Sequence, residues 1–337
     1  MKHYSFPKIR QYHQVLRDLK MRISYVGKDE NNSPIYEEPE FWPTISFKGA
    51  VKLHGSNGAL VFNPDGSFYC QSRTRIIDEV SDNAGFAHWA NKEGKNIWSK
   101  IKPYFERESI KHIILFGEWC GGSIQKGVAL NQLEKRFVVF GLKASFEDES
   151  SAWLDSSNIR DHSINVFNIS DYQGYEIEID LNRPDKAIDT INTWVEAVDK
   201  ECPFAMAFGV SGHGEGIVFT PKEGFGFDLA FKCKGESHSK SKIKKLPTVD
   251  VQKMDSIQEA VKTHCHEDRL QQVYEKVVLS EADKVPQKIG DFIRLLIEDA
   301  WEEDGDSIRA SDISRKEFGA AVSKKAAKWF KEEISKF

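Results

Sequence analysis

The stretch Lys52-Leu53-His54-Gly55-Ser56-Asn57-Gly58 decides how the chain around it is interpreted. An apolar, strand-like run ends at its lysine, a tight polar turn follows, and a second strand-like run begins at Ala59. A lysine at the end of a strand can face a buried cleft. The same pattern also fits a hairpin turn with a solvated lysine, so the rest of the sequence has to distinguish the two.

Four further apolar runs with a charged residue at or near one edge follow in order: residues 116–118, 137–140, 215–219 and 229–234. Each also has a purely structural interpretation. Phe140 lies in an apolar run typical of a core, and Glu118 and Glu215 suit solvated strand edges. Lys232 and Lys234 share a strand face, as in an edge strand that resists aggregation. Their joint occurrence in this order, rather than any one of them, favours a functional site.

Familiar phosphate-binding motifs are absent from the sequence. There is no G-x-x-x-x-G-K-[ST], and residues 212–216 form a glycine-rich turn without the strand that a dinucleotide fingerprint needs. The chain carries 47 Lys and Arg against 52 Asp and Glu, a net charge of −5. This excludes a uniformly basic coat for nucleic acid, so a polyanionic partner must be bound by a local patch.

The five elements, in the same order, resemble the nucleotidyltransferase motifs of ATP-dependent polynucleotide ligases and RNA capping enzymes. DNA ligases and capping enzymes have K-x-D-G as the first motif, whereas K-x-H-G-[ST]-N resembles RNA ligases of the phage RNA ligase 2 type. Ser72-Arg73-Thr74, and Gln125 after Glu118, also match that family. The resemblance covers residues 45–236 closely and the remainder in helical character only.

The resemblance implies a role for each of eight side chains. They are Lys52 as the nucleophile that forms lysyl-AMP, Glu118 on the ribose hydroxyls, Glu215 on a divalent metal, Phe140 stacked on the adenine, Lys232 and Lys234 on the α-phosphate, and Asn57 and Arg73 orienting the phosphate or the ends being joined.

The chemistry of such a site can also be argued from the residues alone. A lysine amine must be neutral to attack the α-phosphorus of ATP, and a free lysine with a pKa near ~10.4 is almost wholly charged at neutral pH. Two further cations, Lys232 and Lys234, together with a bound metal, would favour loss of a proton from Lys52 while they bind the phosphates.

The function implied by the resemblance is ATP-dependent joining of RNA. Lys52 takes AMP from ATP, the AMP passes to an RNA 5′-phosphate, and a 3′-hydroxyl then displaces it. The expected cofactors are ATP, with AMP covalently attached to Lys52, and Mg²⁺, with Mn²⁺ as a substitute. The expected partner is RNA with 3′-OH and 5′-phosphate ends, in a nicked duplex, with no membrane involved.

Two alternatives stay open at this point. A DNA ligase or capping-type nucleotidyltransferase is disfavoured by His54 and by a tail that lacks the β-rich OB-fold pattern. A non-catalytic RNA end-binding protein with the ligase fold is disfavoured because the five charged motif residues are all present. The chain departs from the family at Val51, Gly141 and Thr220, where the family has Glu, an acid and lysine, and Val51 leaves adenine recognition without an obvious carboxylate.

The pattern of apolar and turn residues along the chain predicts an α+β fold with an antiparallel-sheet, ATP-grasp-like ligase domain followed by a small all-α domain. Short apolar runs alternate with turn residues over residues 41–232, with helices inserted at 82–92, 97–106 and 185–200. Helical spacing of apolar residues takes over after Lys245. The predicted domains are 1–246, for adenylation, and 247–337, for positioning RNA, where Lys324, Lys325, Lys328 and Lys331 are candidate phosphate contacts.

The sequence also predicts the location of the protein and the environment of two clusters of polar residues. Five cysteines without a C-x-x-C pair, no apolar leader and no long apolar run predict a soluble protein with reduced thiols, in the cytoplasm or a host's cytoplasm if the source is viral. His264-Cys265-His266 is predicted to be a surface turn rather than a zinc site. The acids at 298–306 are predicted to form a solvated face.

Overall fold

The first part of the chain contains a two-stranded sheet and two larger β-sheets, and helices make up the last part. The computed structural model describes residues 1–106, 109–222, 226–237, 257–278, 288–310 and 313–334. They divide into two units, Met1–Cys233 and Lys234–Phe337. The α+β fold class is confirmed, and the boundary predicted at residue 246 lies outside the described residues.

The elements of the described residues are as follows. The strands are β1 Tyr25–Lys28, β2 Pro34–Tyr36, β3 Thr44–Lys52, β4 Ser56–Phe62, β5 Phe68–Ser72, β6 Ile76–Ile77, β7 Ile110–Cys120, β8 Arg136–Phe146, β9 Ser151–Leu154, β10 Val166–Asn168, β11 Gly174–Asp180, β12 Gly216–Pro221 and β13 Phe231–Lys234. The α-helices are α1 Tyr12–Ser24, α2 Phe86–Ile101, α3 Ile188–Lys200, α4 Pro203–Met206, α5 Ile257–His264, α6 Glu267–Val278, α7 Ile289–Ala310 and α8 Arg315–Ile334. The two helices predicted at 82–92 and 97–106 are instead one continuous helix, α2, because buried residues recur at helical spacing from Phe86 to Ile101. The 3₁₀ turn Lys102–Glu106 follows it. The helix predicted at 185–200 is the 3₁₀ turn Pro184–Ala187 followed by α3.

The larger sheet has the order β10-β8-β7-β4-β5-β6, with β9 also paired to β8. Its pairs are antiparallel except β10 with β8, which is parallel. Because side chains alternate across a strand, Leu60 and Phe62 of β4 face the core that α2 covers, whereas Ala59 and Val61 face the opposite side. The second side of this sheet is the one that carries candidate site residues.

The smaller sheet has the order β11-β3-β12-β13. Phe47, Phe219 and Phe231 are fully buried on one of its faces, where the rings of Phe219 and Phe231 stack with centroids 4.9 Å apart. Alternation along β3 and β13 therefore turns Lys52 and Lys232 to the other face. The aromatic packing fixes the position of the strands and therefore the position of the two lysines.

The second unit is helical, as predicted, but two details differ from the sequence expectations. His264, Cys265 and His266 join α5 to α6 and are each under 5% exposed, so this turn is buried and not on the surface. The acidic run at 298–306, predicted to be a solvated face, is also partly buried. The buried Arg269 forms ion pairs with Asp299, Glu303 and Asp304, because a buried guanidinium needs charged partners. No described helix is long and apolar enough to span a bilayer.

Candidate nucleotide site

Lys52 lies at the end of β3, directly opposite Gly216 of β12. Its Nζ donates a hydrogen bond to Oε2 of Glu215 at 2.6 Å, and its side chain is 24% exposed. The two residues are 163 positions apart in the sequence and are brought together by the pairing of β3 with β12. The lysine is therefore neither a solvated turn residue nor fully buried, and its amine stays accessible to a small molecule.

Glu215 is the most buried charged group of the candidate site, with 2% of its side chain exposed. The same Oε2 that accepts from Lys52 lies 3.1 Å from Nδ1 of His54. A buried carboxylate is costly unless it is paired, and here two side chains of one turn supply its partners. No role for His54 was predicted from the sequence, although it stands two residues after Lys52.

Glu118 in β7 binds the turn that follows Lys52. The Gly55 N–H donates to Oε1 of Glu118 at 3.0 Å. A Cβ at Gly55 would lie 2.6 Å from the Trp119 carbonyl oxygen, so only glycine permits this close approach. Burial raises the pKa of the Glu118 carboxyl to about 7, while the charges of Lys52 and Arg73 act in the opposite direction.

The raised pKa of Glu118 predicts a pH-dependent stability. Between its ordinary pKa of 4.5 and about 7, the native state keeps a proton that the unfolded state has lost. The free energy of unfolding therefore falls as pH rises through this window. We expect Glu118→Gln, which keeps an acceptor for Gly55, to gain thermal stability relative to the wild type as pH rises from 4.5 to 7.5. Thermal unfolding at several pH values measures the difference.

The control for this experiment is the same substitution at the exposed Glu106, on the 3₁₀ turn after α2. A gap between wild type and Glu118→Gln that stayed constant across the window would contradict the raised pKa.

Asn57, Glu118 and Phe140 lie on one face of the larger sheet. Asn57 pairs with Glu118 across β4 and β7, and Glu118 pairs with Val138 of β8. The register of β8 shifts between Val139 and Gly141, which leaves Phe140 as the extra residue of a β-bulge. Phe137 and Val139 lie in the core under α2, so alternation along β8 places Phe140 on the same face as Val138 and Glu118. The bulge reverses the alternation beyond Phe140, where Leu142 and Ala144 return to the core under α2.

Phe140 is half-buried and belongs to an aromatic cluster on that face. Its ring packs edge-to-face on Phe6 and Phe227, with centroids 5.0 and 6.4 Å away. A Cβ at Gly141 would lie 3.2 Å from both Phe227 and Trp153. These rings explain why glycine stands at this position, because a larger residue would displace them.

The remaining predicted residues are the two lysines of β13 and Arg73. Lys232 and Lys234 are half-buried and alternate with the buried Phe231 and Cys233. They lie on the face of the smaller sheet that carries Lys52, because Phe231 and Phe47 contact each other on the opposite face. Arg73 is exposed directly after β5, whose Ser72 pairs with Gly58. No direct contact joins Arg73 to the other site residues in the described structure, although its charge acts on Glu118.

The donor set around Glu215 fits a metal that arrives with a nucleotide better than a resident metal centre. Among the described residues, no group of three His, Cys, Asp or Glu side chains is arranged to bind a metal ion. Mg²⁺ commonly uses one or two carboxylates together with substrate phosphates and waters. The Glu215 carboxylate supplies one such ligand, and the phosphates would supply others.

Comparisons with known proteins identify this part of the chain. A family model described as RNA ligase matches residues 47–234, which is more than half of the chain. The fold is similar to a lysine-to-alanine mutant of Naegleria gruberi RNA ligase with ATP and Mn, at 17% identity and a TM-score of 0.43, over 70% of this chain and 58% of that chain. It is also similar to the same organism's RNA ligase with PPi, at 17% identity and a TM-score of 0.42, over 69% and 56%. The chain thus spans less than two thirds of those structures. A search of curated proteins finds no match.

Proposed function

Because this chain belongs to the RNA ligase family, we propose that it is an ATP-dependent ligase that joins 3′-OH and 5′-phosphate RNA ends through lysyl-AMP and RNA-adenylate intermediates. The observation that carries the proposal is the Lys52 amine, 24% exposed and 2.6 Å from the buried Glu215 carboxylate. An accessible amine beside a buried carboxylate, near two further lysines, suits nucleophilic attack on a phosphate.

In the first step, Nζ of Lys52 attacks the α-phosphorus of ATP, a P–N bond forms, and pyrophosphate leaves. The amine must be neutral for this attack, so a proton leaves Nζ first. Glu215 is the residue that would bind Mg²⁺ or Mn²⁺, and a cation there would neutralise phosphate charge. Lys232 and Lys234 offset the negative charge of the α-phosphate.

The base and ribose are assigned to the larger sheet. Phe140 presents a half-buried ring that suits stacking on a purine, and Glu118 is the acceptor for the ribose hydroxyls. In the later steps, a 5′-phosphate oxygen of RNA displaces Lys52 from the AMP phosphorus, and the 3′-hydroxyl then displaces AMP. Asn57 and Arg73 are assigned to orienting the phosphate in these two steps.

One assay tests the proposal against its alternatives. The full chain is incubated with radiolabelled ATP or GTP and Mg²⁺ or Mn²⁺, and the covalent adduct is measured. It is then offered nicked duplexes with 5′-phosphorylated RNA or DNA strands. We expect an ATP-specific adduct and sealing of RNA. A GTP adduct would favour a capping-type enzyme, sealing of DNA alone a DNA ligase, and no adduct a non-catalytic end-binding protein.

We also propose that the adenylation domain comprises residues 1–246 and that residues 247–337 position RNA. Lys324, Lys328 and Lys331 are exposed on α8 and follow one another at helical spacing. Lys325, also predicted from sequence to contact phosphates, instead donates from Nζ to the Cys265 carbonyl oxygen at 2.7 Å. We therefore assign phosphate contacts to the other three lysines.

Changing Lys324, Lys328 and Lys331 together to Gln is expected to weaken sealing of nicked RNA and leave adduct formation unchanged. Each lost phosphate contact should reduce the dependence of log affinity on log salt by about 0.9. Measuring RNA affinity from 50 to 300 mM salt gives this slope. The matched control is Lys92, Lys95 and Lys100 changed to Gln on α2, which are equally exposed. An equal loss of affinity in both triple variants would show a net-charge effect only.

A further inference from the structure

Residues 3–10 contact three separate parts of the candidate nucleotide site; we call this segment the strap. It contains neither helix nor named strand and ends in a single bridge between Arg10 and Phe231. No sequence motif indicated a role for it.

The first part of the strap is bonded to β5. The Tyr4 N–H donates to Oε1 of Gln71 at 3.0 Å, and Nε2 of Gln71 donates back to the Tyr4 carbonyl oxygen at 2.5 Å. Gln71 is 1% exposed, so its amide is committed to this pair. Nε2 of His3 lies 3.2 Å from the carbonyl oxygen of Ser72, the residue before Arg73.

The middle of the strap inserts Phe6 into the aromatic cluster beside Phe140. Phe6 is 8% exposed. Its ring centroid lies 5.0 Å from Phe140, 5.1 Å from Phe116 and Phe227, and 5.6 Å from Trp153. These distances and tilts are those of favourable edge-to-face contacts.

The end of the strap is bonded to the segment that carries the phosphate-binding lysines. The Lys232 N–H donates to the Arg10 carbonyl oxygen at 2.9 Å. Nη2 of Arg10 donates to the Asp228 carbonyl oxygen at 3.0 Å, and its guanidinium pairs with Asp18 of α1. The backbone of β13 is thus fixed by the strap as well as by β12.

We propose that the strap is a positioning element of the nucleotide site and that Phe6 is the residue that sets the orientation of the Phe140 ring. Phe140 is a bulge residue between the ladder pairs of β7 and β8, so its ring direction depends on side-chain packing. The Phe6 ring meets the Phe140 ring edge-to-face and is itself 8% exposed. This inference rests on the proposed function, because it takes the exposed side of Phe140 as the surface for the base.

The substitution Phe6→Leu tests the proposal, since it keeps an apolar side chain but removes the edge-to-face contacts. Aromatic pairs of this kind correspond to about two- to tenfold in an equilibrium constant. We expect the KM for ATP in adduct formation to rise about two- to tenfold. The rate at saturating ATP and inhibition by inorganic tripolyphosphate, which lacks a base, should stay unchanged.

The matched control is Phe62→Leu. Phe62 is fully buried in the same sheet but packs on the opposite face, against Phe68 and Trp98. Partial unfolding lowers the number of active sites but does not change the KM for ATP. The amplitude of adduct formation counts the active sites, so it distinguishes a folding defect from a change in the position of the Phe140 ring. Phe6→Met is the second variant if Phe6→Leu does not fold.

The possible outcomes distinguish a failure of the strap proposal from a failure of the proposed function. No adduct from the wild type would overturn the proposed function. An adduct whose KM for ATP rises in Phe140→Ala, but is the same in Phe6→Leu as in Phe62→Leu, would overturn the role of the strap alone. A KM for ATP that rises only in Phe6→Leu and Phe140→Ala supports the role of the strap.

Discussion

Lys52→Ala is expected to lower the covalent adduct with ATP below detection. In the proposed reaction Nζ of Lys52, which donates to the buried Glu215 carboxylate, forms the P–N bond of lysyl-AMP. Because the substitution removes the attacking atom itself, the expected effect is complete loss rather than a reduced rate. Labelled ATP and denaturing gel electrophoresis measure it.

A second variant is needed beside Lys52→Ala, because Lys52 also stabilises the buried charge of Glu215. Removing one partner of a buried pair leaves the other uncompensated, at a cost of about 3–5 kcal/mol in a fully buried case, and less here because Lys52 is partly exposed. Lys52→Gln retains a donor for Glu215 and should fold like the wild type while forming no adduct. Thermal unfolding of both variants shows whether lost labelling reflects chemistry or folding.

Lys222→Ala is the matched control. Nζ of Lys222 lies 2.8 Å from Glu176, so this lysine also pairs with a glutamate on the smaller sheet, but both side chains are exposed. It should form the adduct as the wild type does. Label that survives acid, which cleaves a phosphoramidate, or that persists in Lys52→Gln would exclude Lys52 as the nucleophile.

Alanine at Lys232 or Lys234 is expected to slow adduct formation by about 10²–10³-fold at saturating ATP, because removing a single donor that stabilises developing charge typically has this effect. The two lysines share the face of the smaller sheet that carries Lys52. Charge on the phosphate shifts as pyrophosphate leaves, so the loss should affect the maximal rate and not only ATP binding.

Single-turnover measurements across ATP concentrations separate the two effects. Lys232→Arg keeps the charge but changes its geometry, and we expect its rate to lie between those of the wild type and Lys232→Ala. If alanine at both positions raised only the KM, with an unchanged maximal rate, the lysines would be edge-strand residues that bind ATP without assisting transfer. Lys222→Ala again serves as the control for loss of a lysine from this sheet.

Some features of the site could be predicted from local sequence because they depend on neighbours in the chain. Alternation about Cys233 predicts that Lys232 and Lys234 share a face, and their half-buried state beside the buried Phe231 agrees with it. The turn chemistry of Gly55 likewise places Lys52 at a strand end. The helical character of the last unit followed from apolar spacing alone.

Other expectations were wrong or incomplete because burial depends on residues distant in sequence. The segment His264-Cys265-His266 looks like a surface turn in the sequence, yet it is buried and contacted by Asp304 of α7 and Lys325 of α8. Part of the acidic run on α7 is covered because Arg269 of α6 pairs with Asp299, Glu303 and Asp304. A charge run indicates a solvated face only when no buried cation lies opposite it.

The sequence by itself determined the order of the motif residues, their strand edges and the family to which they point, because these are properties of short, contiguous segments. Only the tertiary structure decided that the carboxylate of Glu215 is buried and shared by Lys52 and His54, since strand pairing joins positions more than 160 residues apart. It alone decided that Phe140 is the extra residue of a β-bulge and that Phe6 packs against it. The register of a ladder and the partners of a buried ring are set by non-local contacts, and no local pattern of residues specifies them.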